Sequence, residues 1–377
     1  MLFAAAGGHG HLQPLLPLAA HARRAGHELL VTGAAVLAPH VQAQGLDYRA
    51  SGPDQAPVRG PLVLHGLDQE RQAIGQHFAG ALAHARPADV VELADQWRPD
   101  VIVRDEVDFG AAVAAEVLGL PHAAIVVLGA GGFIVPEVAR PALERLRAAF
   151  ALPAEDGMRM LHRHLTLTPF PFSYRDPADP LPGRVLPYRD PIAAGEHAPR
   201  RRVYVTLGTI FNSESGDLLE RVVAGAAACA EVDAVLVTTG EHVDERSWGA
   251  LPAKVTIRRF VPQDRALASC SAVVSHGGSG TVLGAIRHGL PMVSLPLGAD
   301  QSLNARRCDR LGLGLSLRAD TAGKDDIGAA VHQVLTEPSY RRSAQEMQAQ
   351  LLDLPDLSAA LAAVESLAYP AASLLNG

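Results

Sequence analysis

Residues 275–281, Ser-His-Gly-Gly-Ser-Gly-Thr, form a glycine-rich turn with hydroxyl and imidazole side chains. An apolar run at 272–275 precedes it and a helical pattern follows from Val282, so the backbone N–H groups of 278–281 would point out of a helix N-terminus. The positive end of the helix dipole favours an anion there, and glycines let a phosphate approach the backbone closely. No Gly-Lys-[Ser/Thr] follows, so the turn is not a P-loop. We predict a phosphate cradle of another kind.

A second turn, Gly-Gly-His-Gly-His-Leu-Gln-Pro at residues 7–14, follows the first apolar run. Counting from Gly8 and Gly10 puts Gln13 where a dinucleotide fingerprint needs its third glycine, so a nicotinamide or flavin site is not predicted. His11 would lie at the carboxyl end of a strand, where open α/β sheets bind ligands. His11 could act there as a base, or it could only cap the helix start and pack against it. His9 is the alternative histidine in the same turn.

Alternating strand and helix patterns must position both turns. Short apolar runs at 2–6, 28–33, 101–103 and 123–127 predict buried parallel strands, and 14–25 predicts a helix. Eight prolines between 169 and 199 exclude a helix or an interior strand and indicate a surface linker. A second strand–helix series starts at 203. We therefore expect two doubly wound α/β domains with the ligand in the cleft between them.

Composition excludes several classes of protein. A chain of 377 residues with 48% hydrophobic residues suits two globular domains, and a net charge of −7 argues against nucleic-acid binding. The cysteines at 229, 270 and 308 match no zinc spacing and no disulfide framework, so we expect reduced thiols. The apolar start lacks a basic region and no run is long enough to span a bilayer, so a cytoplasmic protein is expected.

Three ordered motifs carry a resemblance to a known family. Phe-Val-Pro-Gln at 260–263, the turn at 276–281 and Pro-Leu-Gly-Ala-Asp-Gln at 296–301 resemble the donor-binding signature of family 1 glycosyltransferases with the GT-B fold. Bacterial enzymes that attach deoxysugars to natural products are the most similar. Residues 10–14 and 186–188 resemble the first loop and the interdomain linker of that family. The resemblance implies an acceptor-binding domain at 1–187, a linker at 188–202, a donor-binding domain at 203–355 and a helical tail at 356–377 that could pack back on the first domain.

The resemblance also implies site residues and a mechanism. His11 would be the general base of an inverting transfer from a nucleoside diphosphate sugar to a hydroxyl group, and Asp105 would orient it. Glu106 and Asp108 remain alternatives to Asp105. The implied donor-site residues are Phe260 and Val261 for the nucleobase and Asp300 and Gln301 for the sugar. His276, Gly278, Ser279, Gly280 and Thr281 would hold the diphosphate, and Thr209 would assist there. No Asp-x-Asp occurs in the chain, so no metal is expected at the diphosphate.

The sequence defines the chemical identity of the donor and of the acceptor less closely than it defines the fold. Plant relatives that use uridine donors carry a glutamate for the ribose hydroxyls where Gly284 stands, so we expect a TDP-sugar in preference to a UDP-sugar. The acceptor should be a small apolar molecule, lined by residues 57–78 and 129–164, with an aromatic wall of Phe78, Trp97, Phe133 and Phe150. The sequence does not define the identity of the acceptor, the sugar, the O-, C- or N-linkage or the oligomeric state, which could be a homodimer. The alternatives are a nucleotide-sugar epimerase and a catalytically silent helper protein on the same fold.

Overall fold

A computed structural model describes residues 1–53, 64, 66–192, 201–208, 215–240, 248 and 251–369. Thr209, predicted to assist at the diphosphate, lies outside these residues, as does most of the predicted acceptor-lining stretch before residue 66. No helix in the described ranges combines the length and the apolar character needed to cross a membrane.

The N-terminal half is built on a parallel sheet whose strand order is β3-β2-β1-β4-β5-β6-β7. Its side chains alternate between two helical layers: Phe3 and Ala5 pack into one apolar core, and Leu2 and Ala4 into the other. The strands are β1 (Leu2–Ala4), β2 (Leu30–Gly33), β3 (Tyr48–Ala50), β4 (Ile102–Asp105), β5 (His122–Ile125), β6 (Leu165–Thr168) and β7 (Val185–Pro187).

The helices of this half cover both faces of the sheet. They are α1 (His9–Leu12), α2 (Leu16–Arg24), α3 (Ala38–Gln42), α4 (Leu67–Gln76), α5 (Ala83–Trp97), α6 (Phe109–Leu118), α7 (Pro136–Ala149) and α8 (Gly157–Met160). Short 3-10 helices occupy Ala35–Leu37 and Phe172–Tyr174, and a π-helical turn at His77–Leu82 joins α4 to α5. Pro87 lies inside α5, where it removes one backbone hydrogen bond of the helix.

The C-terminal half repeats this plan, with the parallel strand order β10-β9-β8-β11-β12-β13. Its strands are β8 (Arg202–Thr206), β9 (Ala234–Thr238), β10 (Val255–Arg258), β11 (Ala272–Ser275), β12 (Met292–Ser294) and β13 (Gly314–Ser316). Its helices are α9 (Leu218–Ala228), α10 (Gln263–Ala268), α11 (Ser279–Arg287), α12 (Gln301–Arg310), α13 (Lys324–Thr336) and α14 (Pro338–Leu352). A last helix, α15 (Leu357–Ala368), returns to the N-terminal half, where Leu361 and Val364 join the core beside α2 and Glu365 bonds His27 at 2.7 Å.

The proline-rich segment after residue 169 differs from its prediction. A linker lying over the surface was expected, but Tyr174 and Tyr188 are fully buried, and β7 pairs with β6 at the sheet edge. An edge strand tolerates proline because one side of it needs no ladder hydrogen bond. Tyr174 packs into a core that also contains Tyr204 and Cys308 of the C-terminal half. This segment is therefore part of the packing between the two halves.

Each sheet has one position where the chain order reverses, and both glycine-rich turns lie there. In the first sheet β1 pairs with β4, so the turn after β1 lies beside the end of β4. In the second sheet β8 pairs with β11, so Gly208 lies beside His276. Such switch points are where open α/β sheets bind ligands. Contacts between the two halves bring the two switch points to one cleft.

Candidate active site

His11 and Asp105 meet at the switch point of the first sheet. His11 lies on α1 directly after β1, Asp105 ends β4, and Nδ1 of the ring lies 3.4 Å from Oδ1 of the carboxylate. A Cβ on Gly7 would come within 2.1 Å of the ring, so glycine is required for the imidazole to cross the backbone here. Because Nδ1 faces the carboxylate, the proton belongs on Nδ1 and Nε2 is left as the basic atom.

The structure distinguishes the three carboxylates near residue 105. Asp105 is fully buried and also accepts hydrogen bonds from the backbone N–H groups of Ala6 and Val107. Glu106 points the other way and accepts from the amides of Val127 and Leu128. Asp108 pairs with the buried Arg86 at 2.6 Å and caps α6. Of the three carboxylates, Asp105 is therefore the one that contacts His11.

The electrostatics of the pair suit a base held ready for a proton. Burial alone would lower the pKa of His11, but the adjacent Asp105 carboxylate outweighs it and raises that pKa above its usual value. Burial opposes ionisation of Asp105 in turn, and His11 with the two backbone N–H groups lowers the pKa of the carboxylate below its usual range. About a fifth of the His11 side chain, 20%, stays exposed, so the ring is accessible from the cleft.

The predicted phosphate turn leads into α11. Gly278 is the N-cap residue with extended backbone, and Gly277 has φ +80°, a conformation that only glycine adopts readily. The His276 ring lies against Gly208 and Gly278, where a Cβ would approach the ring to 2.7 and 2.5 Å. Burial lowers the pKa of His276 to about 4, so the ring is neutral at pH 7. His276 can thus donate a hydrogen bond to an anion but brings no positive charge.

Ser279, Asp300 and Asn304 form a buried cluster at the same turn. Oγ of Ser279 donates to Asp300 at 2.7 Å, and the Asn304 amide donates to Asp300, to Ser279 and to the Gly277 carbonyl. Burial raises the pKa of Asp300, and the two side-chain hydrogen bonds act against that rise. In this structure Asp300 therefore helps to order the turn, and its charge also contributes to the raised pKa of His11.

The same cluster holds the two domains together. The amide of Gly129 donates to Oγ of Ser279 at 2.9 Å, and the amide of Ala130 donates to Oδ1 of Asn304 at 3.1 Å. Glu70 on α4 accepts from the amide of Ala299, whose φ of +51° turns the loop toward it. Asn304 and Glu70 were not identified from sequence. Asn304 follows the predicted Asp300-Gln301 pair by one helical turn, which was the available signal.

The other predicted donor residues lie around the C-terminal switch point. Gln301 is buried and its side chain accepts from the amides of Leu297 and Gly298, so it shapes the 297–301 loop. Thr281 accepts from the side chain of Gln263 at 3.1 Å. Phe260 is 75% exposed and Val261 half-buried beside it, immediately before α10. The exposed ring of Phe260 offers a flat apolar surface on which a planar ligand could stack.

Gly284 has a packing role of its own. A Cβ at this position would come within 2.7 Å of the Leu267 side chain and 3.1 Å of Gln263 Oε1. The glycine therefore allows α11 to pack closely against α10.

Only part of the predicted aromatic wall forms. The ring of Phe78 lies over His11 with centroids 5.3 Å apart, and Phe78 shares an apolar cluster with Phe133 and Phe150. Trp97 does not belong to it, because it packs against a separate core cluster that contains Leu2 and Ile102. The correction follows from α5, whose C-terminal end lies far from the His77–Leu82 turn that carries Phe78.

Two Rossmann-like domains whose switch points face one cleft are the architecture of the GT-B glycosyltransferases, and the His11–Asp105 pair and the turn at residues 276–281 lie at those switch points. Residues 223–365 match the family model for the erythromycin biosynthesis protein CIII-like C-terminal domain. The chain is 30% identical over 367 residues to the elloramycin glycosyltransferase ElmGT of Streptomyces olivaceus, covering 92% of this chain and 91% of that one. The chain belongs to the glycosyltransferases of antibiotic biosynthesis.

Other relatives agree with this family. TDP-daunosamine transferase DnrS of Streptomyces peucetius is 28% identical over 412 residues, covering 95% of this chain and 94% of its own. The solved structure of the spinosyn rhamnosyltransferase SpnG complexed with thymidine diphosphate matches with a TM-score of 0.79 at 22% identity, over 97% of this chain and 99% of that chain. The same enzyme complexed with spinosyn aglycone has a TM-score of 0.79. At that identity the likeness concerns the fold.

Proposed function

We propose that this enzyme transfers a deoxysugar from a thymidine diphosphate donor to a hydroxyl group of a small, largely apolar natural product, with inversion at the anomeric carbon. The observation that carries the proposal is the His11–Asp105 pair, which faces the cleft opposite the turn at residues 276–281.

His11 would act as the general base. A hydroxyl group attacks a sugar carbon poorly until its proton is removed, and a neutral imidazole is suited to this near pH 7. Nε2 would accept the acceptor proton, while Asp105 holds the tautomer through Nδ1 and stabilises the imidazolium that forms. The acceptor oxygen then displaces the diphosphate from the opposite side of the anomeric carbon in a single step, which inverts its configuration.

The turn at residues 276–281 would receive the leaving diphosphate. Negative charge grows on the leaving oxygen, and the amides at the start of α11 together with the helix dipole would stabilise it. The His276 ring lies against Gly278 at the start of α11, so it could donate a hydrogen bond to the leaving group there. The chain contains no Asp-x-Asp pair, and we propose that the transfer needs no metal.

The thymidine donor rests on two supports. Relatives include an enzyme named a TDP-daunosamine transferase and a structure complexed with thymidine diphosphate. Gly284 also leaves no carboxylate at the predicted ribose position. The structure also gives Gly284 a packing role, since a side chain there would prevent the close approach of α10 to α11.

The acceptor side would be the surface around Phe78. Its ring lies next to the proposed base, so an apolar aglycone packed against Phe78 could present a hydroxyl to Nε2 of His11. The spinosyn aglycone bound by SpnG is an example of such an acceptor in a protein of the same fold.

A two-stage binding and turnover experiment tests the proposal. Calorimetric titration with TDP, UDP, ADP and GDP should give the lowest Kd for TDP, and TDP-sugars should then glycosylate members of an aglycone panel with release of TDP. Product formation from donor alone would indicate an epimerase instead, and a lower Kd and higher kcat/KM with UDP-sugars would overturn the thymidine assignment. Proton NMR of the product defines the anomeric configuration, and retention would exclude the single displacement.

A further inference from the structure

Cys229, Glu231 and His332 meet on the C-terminal domain, at the edge of the sheet opposite the phosphate turn. Their sulfur, oxygen and nitrogen atoms all lie within 4.8 Å of one another. Sγ of Cys229 lies 3.3 Å from Oε2 of Glu231, and Nδ1 of His332 lies 2.8 Å from the same oxygen. Sequence spacing could not reveal the group, because His332 comes from α13 and the other two residues from the turn after α9.

The three side chains stand on a rigid base. The turn that carries Cys229 and Glu231 is held by Lys254, whose ammonium group donates to the carbonyls of Cys229 and Val232. α9 and α13 pack closely, since a Cβ on Gly225 would come within 2.5 Å of the Lys324 carbonyl. The backbone segments that carry the three side chains are therefore held by packing and hydrogen bonds before any ion binds.

The chemistry of this group matches zinc. A thiolate, an imidazole nitrogen and a carboxylate oxygen are its usual ligands, and around a tetrahedral ion they lie about 3.3–3.6 Å apart. The separation between Sγ of Cys229 and Oε2 of Glu231 already fits this range. The separation between Oε2 of Glu231 and Nδ1 of His332 would have to increase by about half an ångström. Cys229 is buried whereas His332 is 54% exposed, so the ion would enter from solvent and keep water at a fourth position.

We propose that Cys229, Glu231 and His332 form a surface site for a divalent cation of the zinc class, independent of sugar transfer. On binding, the thiol releases its proton to solvent and a metal–sulfur bond replaces its hydrogen bond to Glu231. The ion would connect the C-terminal end of α9 to α13. The site lies at the amino-terminal edge of the sheet, so it takes no part in the chemistry of the cleft.

Co²⁺ is a suitable probe, because a cobalt–thiolate bond gives a charge-transfer absorption band. Tag-free full-length protein, stripped with a chelator, should take up one equivalent of Co²⁺ with this band, and Zn²⁺ should abolish it by displacement. Absence of the band in the wild-type protein overturns the proposal.

Three variants assign the ligands. Cys229→Ser should remove the band, and His332→Ala, a change on the surface that leaves the core intact, should weaken Co²⁺ binding about tenfold or more. Cys270→Ser removes another thiol of the same domain and should leave the band unchanged. A band that persists in Cys229→Ser, or that disappears in Cys270→Ser, contradicts the assignment. Equal Co²⁺ affinity in His332→Ala and wild type does so as well.

Discussion

The backbone amide of Gly129 donates a hydrogen bond of 2.9 Å to the hydroxyl of Ser279, the first residue of α11. The same hydroxyl donates to Asp300 and accepts from Asn304, so its proton and both lone pairs are in use. The Ser279 side chain thus holds the N-terminal domain against the phosphate turn. Donor binding would depend on the backbone N–H groups of α11 rather than on this hydroxyl.

Replacing Ser279 by alanine should therefore affect stability more than donor binding. Loss of the hydroxyl leaves the Gly129 amide unpaired, so we expect Ser279→Ala to lower the free energy of unfolding by about 1–3 kcal/mol. The Kd for TDP should change by less than about threefold, because the helix-terminal N–H donors remain. Urea unfolding and calorimetric titration measure the two quantities.

Ser302→Ala on α12 is the matched control for this variant and should change neither quantity appreciably. Loss of TDP binding in Ser279→Ala with unchanged stability would show that the hydroxyl contacts the donor directly.

Glu106 should make the stability of the fold depend on pH. Burial raises the pKa of Glu106 to about 7, well above the value of a free glutamate, so its protonated form favours the folded state. The stability that it contributes is complete below about pH 4 and is lost as pH rises through about 7. Between pH 5 and pH 8 the wild-type protein should lose on the order of 2–3 kcal/mol from this group.

Glu106→Gln keeps an oxygen for the amides of Val127 and Leu128 but cannot ionise, so it should remove this loss. Urea unfolding at both pH values, with the exposed Glu92→Gln as control, measures the effect. Equal pH dependence in Glu106→Gln and wild type would rule out titration of Glu106 in this range.

The carboxylate of Asp105 should set the pH dependence of transfer. In the proposed mechanism the base is neutral His11, so kcat/KM should rise with pH through the pKa of His11, which Asp105 raises. In Asp105→Asn this acidic limb should move to lower pH, while the plateau falls on the order of 10²–10⁴-fold because the tautomer is no longer held. A full pH profile separates the two effects. A plateau reduced with the limb unmoved would mean that Asp105 does not act through the charge of His11.

Parts of the fold that have a local sequence signature, such as the glycine-rich turns, could be predicted from the sequence. The glycines at 7–10 and 277–280 predicted two turns at the carboxyl ends of strands, and the buried strands β1, β8, β9 and β11 were recognised from their apolar runs. The strands β3, β6, β7 and β13 were not, because polar residues, glycine or proline interrupt their short apolar runs. The order Asp-Glu-Val-Asp at 105–108 could not show which carboxylate faces His11, because that depends on how β4 pairs with β1.

Contacts between distant segments could not be predicted from the sequence. Asn304 bonds Ala130 and Gly277, and the Cys229–His332 group joins two helices; neither relationship has a fixed spacing along the chain. The burial of Tyr174 in a segment rich in proline was missed for the same reason, since proline content predicts local conformation but not what packs against it.

The role of His11 is tested most directly by measuring transfer and donor binding on one variant. With a TDP-sugar and an accepted aglycone, His11→Ala should lower kcat on the order of 10²–10⁴-fold. Its Kd for TDP should stay within about twofold of wild type, because the diphosphate turn lies on the other domain. Turnover by His11→Ala at the wild-type rate would contradict the assignment of His11 as the base.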